Sequence, residues 1–193
     1  MDENTIIVVS GLPRSGTSMM MSMLEAGGLE IVTDNVRTAD DDNPNGYYEQ
    51  EKVKGLNRDD DKLWLSECKG KAIKIISQLL TSLPEKNSYK IIFMQRKMEE
   101  VLASQKQMLI RRGEPTDRIS DEKLARLFNK HLEETKKWLT KQPGIDVLYI
   151  SYNDLFLYKD KLIEDIKRFL ICPLLRTDMM KCVIDKSLYR QRS

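Results

Sequence analysis

The chain has 193 residues, with 32 basic and 30 acidic side chains and a formal net charge of +2. That length suits one α/β domain with a sizeable core and makes a second full domain unexpected. Balanced charge and an aromatic content of only 7% argue against a nucleic-acid-coating protein, although a local anion pocket needs few charges.

Ile6 to Val9 is a β-branched run before a glycine, the pattern of a strand buried on both faces. Ser15 to Ala26 reads as a helix with Met20, Met23, Leu24 and Gly27 on one side, stopped by Gly27-Gly28. Leu29 to Val32 offers an extra strand. Thr33 to Gly46 is polar and ends in the turn signal DNPNG. A short helix is predicted over Tyr48–Leu56, and strands over Lys71–Ser77 and Tyr89–Arg96.

Lys97–Arg111 has helical spacing of Met98, Val101, Leu102, Gln105, Met108 and Leu109. The connector Arg112–Ser120 reads either as a lid or as an ordinary exposed loop. Asp121–Lys141 is a longer helix whose apolar face carries His131, and Pro143-Gly144 stops it. Ile145–Ser151 is a fourth clear strand, Lys159–Leu170 an amphipathic helix, and Thr177–Val183 a last short helix. There is no internal repeat. The alternation predicts a single domain over residues 1–193, three layers α/β/α with a central parallel sheet.

The stretch VVSGLPRSGTS joins the first strand to the first helix. Gly11 and Gly16 have the spacing of a nucleotide phosphate loop, and Ser18 stands where that loop has a hydroxyl. Thr17 occupies the position of its lysine, and the only cation in the loop is Arg14. A glycine-rich strand-to-helix turn aims backbone N–H groups at one spot, and the helix dipole favours an anion there. The strand Tyr89–Arg96 ends in Arg96, where a Walker-B strand ends in Asp. Phosphoryl transfer from a magnesium-bound triphosphate is therefore disfavoured.

Pro13, Arg14, Ser15, Gly16, Thr17 and Ser18 match P-[KR]-S-G-T-[ST], and this resembles the 5′-phosphosulfate loop of sulfotransferases that use 3′-phosphoadenosine-5′-phosphosulfate (PAPS). FMQRKMEEVLASQ supplies Arg96 and, eight residues on, Ser104, which resemble the pair that holds the donor's 3′-phosphate in that family. YISYNDL resembles the family's Y-E-D stretch and maps its nucleotide-side tyrosine onto Tyr152; packing of that ring at a strand end is the other reading. The family's C-terminal R-K-G stretch is absent. Arg190 and Arg192 in LYRQRS are candidate nucleotide contacts in its place, against a frayed basic tail. The resemblance implies a parallel core of five strands of the P-loop nucleoside-triphosphate-hydrolase type, the fifth supplied by Leu29–Val32.

It also implies PAPS as donor, 3′,5′-adenosine bisphosphate as product and no required metal. Arg14 would serve as a cation on the transferring group, with Thr17, Ser18 and the loop amides on the 5′-phosphate. The family's histidine base after a K-T-H strand has no match in IKIISQLL, which offers Lys74. His131, the only histidine, reads as a packed or hydrogen-bonded helix residue. Other branches use a glutamate after the first helix. Glu49, next to Tyr47-Tyr48, is the candidate base in preference to Glu51; a glutamate in the first turn of a helix is the alternative. Lys74 is a candidate for the sulfuryl group or bridging oxygen, or else a lysine at a strand edge.

The expected function is sulfuryl transfer to a hydroxyl or amine of a small-molecule acceptor. A P-loop kinase or NTPase acting on ATP, and a non-catalytic nucleotide-binding protein of the same fold, are the alternatives. Cys68, Cys172 and Cys182 lack metal-ligand spacing and are odd in number, which predicts free thiols in a reducing compartment. MDENTIIVVS is unlike a signal peptide, and no stretch approaches the ~18 apolar residues of a membrane span. A cytoplasmic protein without membrane or nucleic-acid partners is expected.

Overall fold

Ile6, Ile7, Val8 and Val9 are fully buried, and they alternate between two apolar clusters as a strand's two-residue period requires. They form the middle of strand β1 (Thr5–Gly11) in the computed structural model, which describes residues 4–34, 36, 40, 46–58 and 62–184. The other strands are β2 (Ile31–Val32), β3 (Ala72–Lys74), β4 (Ser88–Gln95) and β5 (Ile145–Ser151). All pair in parallel in one sheet of order β2-β3-β1-β4-β5. Ile31–Val32 is the fifth strand, lying beside β3.

Helices α1 (Thr17–Ala26), α4 (Lys159–Leu170) and α5 (Thr177–Cys182) cover the face that carries Ile7 and Val9, through Met20, Leu24, Ile166, Leu170 and Met180. Helix α3 (Asp121–Leu139) covers the opposite face, where Leu132, Trp138 and Leu139 meet Ile6, Val8 and Phe93. Helix α2 (Met98–Arg111) connects β4 to α3. This is a three-layer α/β/α fold around an all-parallel sheet. Each fully buried Ile, Leu, Met or Phe contributes roughly 1.5–3 kcal/mol relative to exposure, so the two clusters account for the sheet's central position.

The register fixes where function can sit. Val9 pairs with Lys74, Gly11 with Met94, and Gln95 with Ser151, so β1, β3, β4 and β5 end at a common edge. From β1 the chain goes to α1 on one face; from β4 it goes through α2 to α3 on the other. The two strands are neighbours, so a crevice opens between their carboxyl ends, the usual ligand position in open α/β sheets.

Several expected elements differ. The strand at Lys71–Ser77 narrows to Ala72–Lys74, and Ser77–Ser82 turns into a 3-10 helix. The helix at Tyr48–Leu56 reduces to a 3-10 segment, Glu51–Gly55. Tyr48 has φ 52 and Gln50 is extended, and neither conformation continues a helix. Residues 112–120 form no helix or strand, and Ser120 caps α3 by accepting from the Lys123 N–H at 3.3 Å. The turn signal before Gly46 and the tail with Arg190 and Arg192 lie outside the described residues.

Candidate active site

The β1–α1 loop is shaped by its glycines. A Cβ at Gly11 (φ 147) would stand 2.6 Å from the Met94 carbonyl oxygen, and one at Gly16 (φ 98) would overlap the Tyr152 ring. Arg14 lies between them at φ 71, a left-handed conformation that is uncommon for a side-chain-bearing residue. Helix α1 begins at Thr17, two residues later than the sequence pattern suggests, because Gly16 is the left-handed cap. No side chain caps this end and no acidic residue sits in its first turn, the setting in which a helix N-terminus can accept an anion. The Ser15 hydroxyl is buried in the loop without a hydrogen-bond partner among the described residues. An unmatched buried hydroxyl costs about 1–3 kcal/mol, which a bound oxyanion would offset.

At the end of β4, Arg96 and Ser104 come together with Arg14. The Arg14 Nε donates to Ser104 Oγ at 2.9 Å, and the Arg96 Nη1 donates to the Arg14 carbonyl at 3.2 Å. The loop after β1 and the Arg96–Ser104 pair are thus one constellation across the β1–β4 crevice. Tyr152, 6% exposed, packs its ring between Gly16 and the Arg96 guanidinium, whose carbon lies 4.3 Å from the ring centroid. It therefore touches both motifs while also packing on Phe156.

A second cluster borders Ser18. The Lys74 ammonium, buried at the end of β3, donates to Ser18 Oγ at 3.4 Å and to the Tyr47 carbonyl. It lies 3.9 Å from Glu49 Oε1, and the Glu49 side chain keeps 31% exposure. Glu49 sits in the segment before the 3-10 turn, held by the Thr33 hydroxyl and the Asp34 N–H, both donating to its carbonyl. It is not a first-turn helix residue; that position belongs to Glu51. The aromatic pair is committed elsewhere: Tyr47 is buried with its hydroxyl on Asp40, and Tyr48 donates to Glu25 at 2.7 Å.

The chain matches the family described as sulfotransferase domain over residues 4–191. It belongs to that family. The sulfotransferase from Alicyclobacillus acidocaldarius has a similar solved structure, with 13% identity over 95% of this chain and 87% of that one, at a TM-score of 0.48. The sulfotransferase domain from the curacin biosynthetic pathway gives 13% identity, 98% and 78% coverage, and a TM-score of 0.48. No curated protein gives a significant match.

Within this sulfotransferase domain, two residues escaped the sequence reading, one of them buried. Glu100, 2% exposed, accepts from Arg96 Nε at 2.8 Å and from Asn153 Nδ2 at 2.8 Å. The i,i+4 spacing of Arg96, just before α2, and Glu100, in its first turn, was the available signal. Asn153, just past β5, had none. Beside the loop a cavity of about 130 Å³ opens against Leu12, Ser15, Arg96, Met98 and Leu132.

His131 is hydrogen-bonded as expected, with Nε2 at 2.9 Å from the Ser77 hydroxyl, and burial lowers its pKa from the ordinary 6.5. Burial pushes the Cys68 thiol up to about 11, and all three cysteines are free. Among the described residues no cluster of His, Cys, Asp and Glu could hold a metal, and no helix is long and apolar enough to cross a membrane.

Proposed function

We propose that this protein transfers a sulfuryl group from PAPS to a hydroxyl or amine of a small acceptor in the cytoplasm. The observation that carries this reading is the junction of the 5′-type loop with the Arg96–Ser104 pair, joined by the Arg14–Ser104 hydrogen bond. A donor with phosphates at both 3′ and 5′ positions needs two adjoining anion sites; ATP needs only the first.

The residues fit that donor. The α1 amides, the partnerless Ser15 hydroxyl, Gly16, Thr17 and Ser18 would take the 5′-phosphosulfate, and Arg96 with Ser104 the 3′-phosphate. Tyr152 would border the nucleotide, and Arg190 is a further candidate contact. The donor supplies an activated S–O bond whose leaving group is the 5′-phosphate of 3′,5′-adenosine bisphosphate.

Glu49 accepts the proton of the attacking hydroxyl or amine as the new bond to sulfur forms. Lys74, beside Ser18, stabilises the charge on the transferring group and on the oxygen that departs. Glu49's remaining exposure leaves an approach for the acceptor from solvent.

Turnover of PAPS against a panel of phenols, alcohols and amines tests the chemistry. Glu49→Gln is expected to lower turnover by about 10²- to 10⁴-fold while leaving affinity for 3′,5′-adenosine bisphosphate within about threefold. Full turnover in Glu49→Gln would remove Glu49 as the base.

A further inference from the structure

We infer that Tyr48 is a positioning residue: seated on a polar stripe of α1, it sets the Glu49 carboxylate against the end of that helix where the donor would sit. The inference rests on the reading of Glu49 as the base.

Helix α1 carries Ser18, Ser22 and Glu25 at i, i+4 and i+7, along one face. The stripe is polar on a helix whose Met20, Met21, Met23 and Leu24 are buried, and the phosphate loop uses only its first member. The other two face Tyr48. The Tyr48 hydroxyl donates to Glu25 Oε2 at 2.7 Å and lies within hydrogen-bond reach of the Ser22 hydroxyl. Burial raises its pKa above the ordinary 10.0, so it stays protonated and remains a donor. Ser18 meets the preceding residue, its Oγ donating to the Tyr47 carbonyl at 3.5 Å. Residues 47 and 48 are thus laid along one face of the helix.

The backbone adds a second observation. Tyr48 is left-handed at φ 52, a conformation that a bulky residue keeps only where its surroundings hold it. On one side of it, the Tyr47 carbonyl accepts from the Lys74 ammonium. On the other, Glu49 Oε1 lies 3.9 Å from the same ammonium. The turn at Tyr48 brings a carbonyl and a carboxylate two residues apart to one cation. Glu49 is then fixed from both directions: through Tyr48 to α1, and through Thr33 and Asp34, which donate to its own carbonyl. Its carboxylate stays open to solvent. The donor would occupy the N-terminus of the same helix, so α1 sets the distance between the base and the transferring group. A misplacement of about 1 Å there costs on the order of 10²-fold in rate.

The test has two readouts. The first needs no acceptor: a carbodiimide condenses the Glu49 carboxylate with the Lys74 amine to an amide, and mass spectrometry quantifies the cross-linked peptide. The wild type should form it. Tyr48→Gly, which accepts φ 52 and removes the tether, should reduce its yield by at least about threefold. The second is transfer from PAPS to phenol and to 4-nitrophenol at about pH 8. Phenol titrates near 10 and needs its proton removed, whereas 4-nitrophenol is already largely ionised. Tyr48→Gly should lower kcat for phenol by about 10- to 100-fold and Tyr48→Phe by about 3- to 10-fold. KM for PAPS and turnover of 4-nitrophenol should stay within about threefold. Added to Glu49→Gln, Tyr48→Gly should lower phenol turnover no further.

An unchanged cross-link with unchanged phenol turnover in Tyr48→Gly would overturn the inference. Equal losses for the two phenols would overturn it too, because they mark general loosening. Both results leave the base reading intact so long as Glu49→Gln slows phenol selectively. If Glu49→Gln slows neither phenol, or both alike, the base reading itself falls. Where neither phenol is turned over, the cross-link alone decides.

Discussion

Gly16 shows how much one atom decides in this site. Its φ of 98 disfavours any side chain, and the Tyr152 ring occupies the space that a Cβ would take. Tyr152 in turn lies under the Arg96 guanidinium, so an intrusion at residue 16 is transmitted to the 3′-type pair. Gly16→Ala is expected to cost about 1–3 kcal/mol of stability from strain and overpacking. It should also weaken binding of 3′,5′-adenosine bisphosphate. Urea unfolding and calorimetry on the same preparation check both, and a variant that loses neither would show the loop to be pliant. The residues that the sequence exposed, Arg14 to Ser18, Arg96 and Ser104, are those whose chemistry is local to a strand end or a helix start. Asn153 was hidden because its meaning lies in a contact with Glu100 across 53 residues of chain.

At the scale of elements, the alternation of strands and helices was legible because each strand is a β-branched run and each long helix has an apolar stripe. α4 matches its expected limits, Lys159–Leu170, and β5 its own, Ile145–Ser151. What was not legible is the path between β2 and β4. There the chain uses 3-10 segments of five or six residues, too short to show a period. The same ambiguity left open whether Glu49 stands in the first turn of a helix; its setting before the 3-10 segment depends on hydrogen bonds from Thr33 and Asp34. One of those 3-10 segments is pinned to α3 by the Ser77–His131 hydrogen bond. Burial lowers the His131 pKa, with the Glu134 charge opposing, so the unfolded chain binds a proton that the folded one resists. Stability is then full above the ordinary value of about 6.5 and falls as pH drops from there toward the lowered one. His131→Gln should flatten that acid slope, read as urea midpoints at about pH 7.5 and 5.5. An unchanged slope would assign the acid sensitivity to other groups.

The whole molecule is a crevice between two neighbouring strands whose chains leave in opposite directions. β1 delivers the glycine loop and α1, β4 delivers Arg96 and α2, β3 delivers Lys74, and β5 is followed by Tyr152 and Asn153. A ligand that spans the crevice with a charge at each end binds all of these elements at once and none of them in the unfolded chain. The most direct measurement is therefore thermal unfolding with 3′,5′-adenosine bisphosphate, compared with Mg-ATP and 5′-AMP. At about 100 times its dissociation constant the bisphosphate should add ~2.7 kcal/mol, a rise of roughly 5–10 °C for a chain of this size. The rise should exceed that with Mg-ATP or 5′-AMP and shrink in Arg96→Ala. A magnesium-dependent rise with ATP and none with the bisphosphate would contradict a PAPS-dependent sulfotransferase.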